Sequence, residues 1–153
     1  MIQRIYTDTS VIGGCLDDEF SEGSQALLTN FQDGYSVLVL SDLTLLELEQ
    51  APEDVRRILL SIPNEHIEFI EFTEEAKQLA ETYINKGVVP PRCRIDAQHI
   101  ATAAVYRVDV LVSWNFKHIV NLDRIHGYNS VNLRLGYPML EIRSPIEVLN
   151  YED

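Results

Sequence analysis

The sequence has few cysteines, no long apolar run and half as many basic as acidic residues. It contains 2 Cys among 153 residues, which is too few for a disulfide framework or for a zinc site with four cysteine ligands. No apolar run approaches the length of about 20 residues that a membrane span requires. The first residues also lack the apolar region of a signal peptide. These absences predict a cytoplasmic protein with reduced thiols and no membrane association.

What remains is the composition of an ordinary globular protein. Hydrophobic residues make up 46% of the chain and charged residues 24%. A chain of this length is most simply one domain, covering residues 1–153, and is long enough to bury a sizeable core.

The formal net charge is -12, which taken alone argues against a protein that binds nucleic acid. The charge is unevenly distributed along the chain. Residues 1–91 contain 5 Lys and Arg against 17 Asp and Glu, whereas residues 92–153 contain 7 of each kind. The acidic excess predicts either solvated acidic helices or a surface that attracts metal ions or a basic partner.

Short apolar runs alternate with helical patterns along the chain. Strands are predicted at residues 4–7, 36–41, 67–72, 110–113 and 139–142. Helices are predicted at residues 21–31, 42–48, 53–60, 74–86 and 95–106 and after residue 144, and the segment from 119 to 136 is predicted to be loop-rich. This alternation predicts an α/β fold with a mainly parallel central sheet, covered on both faces, whose strand ends lie along one rim.

Four side chains with oxygen donors are predicted to lie at that rim. Asp8 ends the first strand, and Glu47 lies in the helix after the second strand. Asp96 opens the alanine-rich helix, and Asn115 ends the strand after it. Three carboxylates and an amide oxygen are a donor set typical of Mg²⁺ or Mn²⁺ and not of zinc. Such an ion can lower the pKa of a bound water and stabilise an anionic phosphoryl transition state.

Each of these residues also has a purely structural interpretation. Asp8 and Asp96 can both cap or open a helix. Asn115 is by default a turn former, and a helical Glu47 near a core is usually paired with another group. Only the four together indicate a site.

Four short segments resemble the four sequence blocks of PIN domains, in particular those of the VapC-like toxin ribonucleases of prokaryotic toxin–antitoxin pairs. The segments are residues 7–10, 43–48, 95–103 and 111–115. The resemblance extends from about residue 5 to about residue 119, in the expected order and spacing. It implies a Rossmann-like three-layer α/β/α fold and an endoribonuclease that depends on Mg²⁺ or Mn²⁺. It also implies an RNA substrate, a homodimer and a cognate antitoxin whose basic tail masks the site.

The resemblance further implies three acidic metal ligands, which are Asp8, Glu47 and Asp96. The fourth block commonly carries an Asp two residues after a Ser or Thr, and here Ser113 is followed by Asn115. An amide oxygen can still bind a metal or its water, but it adds no charge, which weakens the case for a second ion. Asp123 would replace the missing carboxylate if the chain folded back to the site.

Other residues near the four have expected supporting or binding roles. Four basic residues are predicted to contact RNA phosphates, and these are Arg92, Arg94, Lys117 and His118. The alternative is that the arginines only offset acidic surface and that His118 is a surface or capping residue. Four residues are predicted to support the site, and these are Thr9, Ser10, His99 and Ser113. Trp114 is expected either to stack on a base or, more simply, to be buried.

The predicted reaction is hydrolysis of an RNA phosphodiester by metal-activated water. Asp8 and Asp96 would hold the main ion, and Glu47 would bind it or orient the water. Asn115 would complete the shell. Two alternatives are a phosphatase of the haloacid dehalogenase type and a catalytically weakened PIN-like module that binds nucleic acid or protein. The phosphatase motif requires a second Asp at the position of Ser10, whereas the absence of a carboxylate at the fourth position favours the second alternative.

Overall fold

The strands of residues 2–150, the range that the computed structural model describes, form one sheet. The strands are β1 (Gln3–Thr7), β2 (Ser36–Ser41), β3 (Ile67–Ile70), β4 (Val110–Val112) and β5 (Ile142–Arg143). The helices are α1 (Thr9–Gly14), α2 (Ser21–Gln32), α3 (Asp42–Glu49), α4 (Glu53–Leu60), α5 (Glu74–Asn85), α6 (Arg94–Val105), α7 (Leu122–Arg134) and α8 (Pro145–Asn150). The prediction of one domain over residues 1–153 extends beyond the described range and stays a prediction.

Every neighbouring pair in the sheet is parallel, and the strand order is β3-β2-β1-β4-β5. The central strand is β1, where Ile5 is in register with Leu38 on one side and Val110 on the other. The chain builds outward from β1 through β2 and β3, and then returns to the other side of β1 for β4 and β5. In open α/β sheets, ligands bind outside the carboxyl ends of the strands at such a reversal.

Alternate strand residues face two different helical layers, as the period of two requires. Ile5 belongs to a core with residues of α1, α2, α3, α4 and α8, whereas Tyr6 belongs to a core with residues of α5, α6 and α7. Buried alanines such as Ala97 and Ala101 let α6 pack closely on the sheet. The predicted three-layer α/β/α fold is therefore confirmed. Within residues 2–150, no helix has the length and apolar character to cross a membrane.

The prediction that residues 119–136 are loop-rich is wrong. Most of this segment forms α7, which begins after Asn121, whose side chain accepts hydrogen bonds from the backbone N–H groups of Asp123 and Arg124. The buried face of the helix includes the polar residues Asn129 and Asn132. These amides interrupt the apolar periodicity by which an amphipathic helix is detected in a sequence.

The last strand begins later than predicted, at Ile142 in place of residue 139. The side chain of Asn129 accounts for the difference, because it binds both backbone polar groups of Leu140. The Leu140 N–H donates to Asn129 Oδ1 at 2.7 Å, and Asn129 Nδ2 donates to the Leu140 carbonyl at 3.1 Å. Pairing with β4 therefore starts at the next residue, where the Leu111 N–H donates to the Glu141 carbonyl at 2.8 Å.

Candidate active site at the ends of strands β1 and β4

Asp8 follows β1 directly and is buried, with 7% of its surface exposed. It occupies the N-cap position of α1, but its side chain makes no capping hydrogen bond. Its two oxygens are held by hydroxyl groups instead. Ser10 Oγ donates to Oδ1 and Ser113 Oγ donates to Oδ2, each at 2.6 Å. The purely capping interpretation of Asp8 therefore does not hold, and two of the predicted supporting residues contact it.

Burial is the main reason that the pKa of Asp8 is raised above its ordinary value. The nearby His99 ring and the hydroxyls of Ser10 and Ser113 lower the pKa, and the charge of Glu47 raises it. The carboxylate is thus held in a position where ionisation is costly.

Asp96 lies in the first turn of α6 and is partly buried. Burial is also the main cause of its raised pKa, and the charge of Asp8 adds to the effect. The His99 and His118 rings and a hydrogen bond from Asn115 act in the opposite direction. The charge of Asp8 is thus one of the influences that disfavour ionisation of Asp96. The described residues include no salt bridge between either carboxylate and a Lys or Arg.

Glu47 is held by a hydrogen-bond chain that continues through His99 and Tyr6 to Ser41. His99 Nε2 donates to Glu47 Oε1 at 2.5 Å, and His99 Nδ1 contacts the Tyr6 hydroxyl at 2.6 Å. The same hydroxyl lies 2.6 Å from Ser41 Oγ. His99 is 2% exposed, whereas the Glu47 side chain is 40% exposed. The expectation that Glu47 is paired holds, with His99 as its partner.

Asn115 forms a turn after β4 and also reaches Asp96. Its Oδ1 accepts from the backbone N–H groups of Lys117 at 3.2 Å and His118 at 3.0 Å. Its Nδ2 donates to Asp96 Oδ2 at 3.3 Å. Its own N–H donates to Ser113 Oγ at 2.9 Å, the same hydroxyl that holds Asp8. The segment after β4 therefore connects the two carboxylates.

The predicted phosphate-binding residues differ in how available they are. Arg94 is paired with Glu81 through Nε at 2.7 Å and Nη2 at 3.3 Å, so its guanidinium already has a carboxylate partner. Arg92 and Lys117 are exposed. His118 is partly buried, and its Nδ1 lacks a hydrogen-bond partner among the described residues. The RNA contacts of all four stay predictions.

Trp114 is buried, as its simpler interpretation predicts, and is 6% exposed. Its ring stacks on Phe20 with 4.5 Å between centroids, and its Nε1 donates to Ser24 Oγ at 2.8 Å. A Cβ atom on Gly14 would lie 2.8 Å from Trp114 Nε1, so the end of α1 requires a glycine at this position. The ring supports the loop after β4 and is not free to stack on a base.

Within residues 2–150, no three His, Cys, Asp or Glu side chains are gathered closely enough to form a metal-binding group. Of the predicted ligands, Asp8 and Asp96 are brought together, Glu47 is held by His99, and Asn115 is held by its own loop. Asp123 lies in the first turn of α7 and is exposed. Its backbone N–H donates to Asn121 Oδ1 at 3.1 Å. The role of each predicted ligand stays a prediction.

Tyr6 and Ser41 are not among the predicted site residues, although the Tyr6 hydroxyl contacts His99 Nδ1 and Ser41 Oγ contacts that hydroxyl in turn. Both are strand residues. The available signal was their position, because Tyr6 lies two residues before Asp8 and Ser41 ends β2. Thr9, predicted to support the site, has a buried Oγ1 without a hydrogen-bond partner among the described residues.

Neither a protein-family model nor a curated protein sequence matches this chain. Solved structures do match it. FitAcB from Neisseria gonorrhoeae has a TM-score of 0.59 and 16% identity, over 93% of this chain and 98% of the other. VapBC2 from Rickettsia felis, solved with a DNA fragment from their promoter, has a TM-score of 0.53 and 17% identity, over 92% and 98%. VapC20 from Mycobacterium tuberculosis, a toxin that cleaves the sarcin–ricin loop, has a TM-score of 0.55 and 13% identity, over 74% and 91%.

The chain has the fold of a VapC-like PIN domain. The resemblance based on four short sequence segments is thus confirmed for the fold. The sequence identities to the solved structures are too low to support more than the fold. In this VapC-like fold, the ends of β1 and β4 bring Asp8, Ser113 and Asn115 together from opposite ends of the sequence.

Proposed function

We propose that this chain is a metal-dependent endoribonuclease that hydrolyses RNA phosphodiester bonds, and that it is the toxin of a type II toxin–antitoxin pair. One observation carries the proposal: hydrogen bonds through Ser113 and Asn115 link Asp8 to Asp96 at the reversal of the sheet, and neither carboxylate forms a salt bridge with a Lys or Arg among residues 2–150. A pair of carboxylates without a cation partner is a costly arrangement for a site that only stabilises the fold.

The donor set fits Mg²⁺ or Mn²⁺ in a particular way. Mg²⁺ keeps several waters and is usually bound through one or two carboxylates together with substrate phosphates. Asp8 and Asp96 are such a pair, and they would hold the ion. When bound, the ion would lower the pKa of a water and stabilise the charge of the phosphoryl transition state.

The residues around the pair have distinct tasks in this proposal. Ser10 and Ser113 fix both oxygens of Asp8, so that its carboxylate cannot rotate. His99 holds one oxygen of Glu47, which leaves the second oxygen to orient a water or to contact the ion.

The RNA strand would approach along the open side of the site. Arg92 and Lys117 are exposed and lie close in the sequence to Asp96 and Asn115, and they would contact the phosphates on either side of the cut. RNA as the substrate is supported by the likeness to VapC20, a toxin that cleaves the sarcin–ricin loop.

The partner proposed for the chain is a cognate antitoxin, and a homodimer is the proposed assembly. Several structures with this fold are toxin–antitoxin complexes, among them one from Klebsiella pneumoniae and FitAB bound to a DNA fragment. The net charge of -12 suits a partner with a basic tail.

The test is cleavage of a mixed RNA pool with Mg²⁺, with Mn²⁺ and with excess chelator. Asp96→Ala is expected to lower the rate more than about 100-fold, because residues that only support a metal site already contribute about 10–100-fold. The matched control is Asp54→Ala, which removes an exposed carboxylate from the first turn of α4 and is expected to leave cleavage unchanged. Cleavage that persists in chelator or in Asp96→Ala would contradict the proposal.

A PIN-like module with weakened catalysis is the second candidate. It is favoured by the absence of a third acidic or histidine ligand beside Asp8 and Asp96 within the described part of the chain. This function predicts that single-stranded RNA binds with a steep salt dependence but is not cut under any metal condition.

A further inference from the structure

We propose that Asn115 is a positioning residue: it fixes the Asp96 carboxylate by donating a hydrogen bond through its amide nitrogen, and it gives no ligand to the ion. The inference rests on the proposed function, and it replaces the role as fourth ligand that the sequence resemblance implies for this residue.

The orientation of the Asn115 amide follows from its loop. Two backbone N–H groups, those of Lys117 and His118, point at one atom of the side chain at 3.2 and 3.0 Å. Only an oxygen can accept both, because the amide nitrogen is a donor without acceptor capacity. The nitrogen must therefore be the atom that faces Asp96 Oδ2 at 3.3 Å.

The amide oxygen is already fully used by these two hydrogen bonds. A carbonyl oxygen has two lone pairs, and here each has a backbone donor. The backbone carbonyl of Asn115 also accepts from Ile119 N at 3.2 Å and from Val120 N at 2.8 Å, so the loop closes around this residue. To bind an ion, Oδ1 would have to release at least one backbone N–H and loosen the turn.

The same residue connects both halves of the carboxylate pair. Its N–H donates to Ser113 Oγ, which in turn donates to Asp8 Oδ2 at 2.6 Å. Its side chain then holds Asp96 from the other side. An Asp at position 115 could cap the loop as well, but it would place a third negative charge against Asp96 and remove the donor.

The first test needs no metal and uses the side-chain NH₂ signals of asparagine in a ¹⁵N–¹H NMR spectrum. Asp96→Ala removes the acceptor, so the Asn115 NH₂ signal is expected to move while the Lys117 and His118 amides keep their hydrogen-exchange protection. Asn121 is the matched control, because its Oδ1 accepts from Asp123 N and Arg124 N in the same way. An Asn115 NH₂ signal that does not change in Asp96→Ala overturns the proposal.

The second test adds Mg²⁺ to the unaltered protein and follows hydrogen exchange at Lys117 and His118. Equal protection with and without Mg²⁺ is expected, since Oδ1 stays with the loop. Faster exchange at either amide in Mg²⁺ shows that Oδ1 has moved to the ion, and this overturns the proposal. If Mg²⁺ shifts no signal near Asp8 and Asp96, the proposed metal dependence fails, and the metal-free test still decides the role of Asn115.

The third test compares Asn115→Asp with Asn121→Asp, two identical changes at similar turns. Asn115→Asp keeps an oxygen for the loop but lacks the donor, and is expected to lower RNA cleavage about tenfold or more. Asn121→Asp is expected to leave cleavage unchanged. A ligand role predicts the reverse, because a carboxylate binds Mg²⁺ more strongly than an amide. Cleavage by Asn115→Asp that equals or exceeds that of the unaltered protein would therefore overturn the proposal.

Discussion

The charged groups at the two ends of the central strand β1 differ in the partners that they have. At the amino end of β1, the Arg4 guanidinium donates to Glu68 at 2.8 and 2.6 Å, and its backbone N–H donates to Asp109 at 2.7 Å. At the carboxyl end, Asp8 has hydroxyl donors but no cation with which it forms a salt bridge in residues 2–150. Arg4 lies within β1, and Asp8 directly follows the strand.

The pKa values follow the same division. The hydrogen bond from Arg4 lowers the pKa of Glu68, whereas burial raises the pKa of Asp8. At the amino end, the charge of Arg4 has its partner Glu68 within the chain. At the carboxyl end, the proposed ion would neutralise the charge of Asp8.

Mg²⁺ is expected to stabilise the protein through the carboxyl end alone. An ion that binds the folded state at 100 times its Kd adds about 2.7 kcal/mol to the free energy of unfolding. We expect this gain as a rise in Tm for the unaltered protein and for Arg4→Ala, and no rise for Asp8→Ala. Calorimetry with and without Mg²⁺ measures it. An equal rise in Tm for Asp8→Ala would show that the ion binds elsewhere.

Arg4→Ala is expected to lower the free energy of unfolding by about 1 kcal/mol, a small value because the ion pair with Glu68 is about a third exposed. RNA cleavage should not change. At neutral pH, Asp8→Ala should not be less stable than the unaltered protein, since Ser10 Oγ and Ser113 Oγ already lie 3.4 Å apart and can pair with each other. Urea unfolding of the two variants provides the measurement. The comparison fails if Asp8→Ala is the less stable of the two.

The pH dependence of stability should differ in sign between the two ends. Asp8 has a pKa raised above 3.8, so its contribution is full below that pH and is lost as the pH rises through the raised value. Glu68 has a pKa lowered below 4.5, so its contribution is full above that pH and is lost as the pH falls. Unfolding is measured at several pH values without divalent ions. The free energy of unfolding of the unaltered protein minus that of Asp8→Ala should decrease with rising pH. The same difference for Arg4→Ala should decrease with falling pH.

The sequence predicts the sheet and the location of the site because these depend on local patterns. Apolar runs mark β2 and β4. Asp8 directly follows β1, and Asn115 lies shortly after β4, the strand that becomes a neighbour of β1. Helix α7 could not be predicted in the same way. The buried amides of Asn129 and Asn132 satisfy partners far away in the sequence, namely Leu140 and Tyr83, and a local pattern contains no sign of these contacts.

The internal bonding of the site was also beyond a sequence pattern. Glu47 and His99 lie on different helices and 52 residues apart in the sequence, so a sequence pattern does not reveal their contact. That Asn115 uses its oxygen for its own loop depends on the backbone course of residues 117 and 118. Sequence blocks identify which side chains meet, but the direction in which each amide or carboxylate points is decided by hydrogen bonds that form only in the folded chain.

The position of β4 in the sheet also affects how the protein is made. Strand β2 follows β1 in the sequence, whereas the other edge of β1 pairs with the much later strand β4, where Ile5 is in register with Val110. Until that part of the chain leaves the ribosome, the central strand has an open edge, and Asp8 lacks the hydroxyl of Ser113. A growing chain therefore carries no assembled candidate site before residues 113–115 have been made.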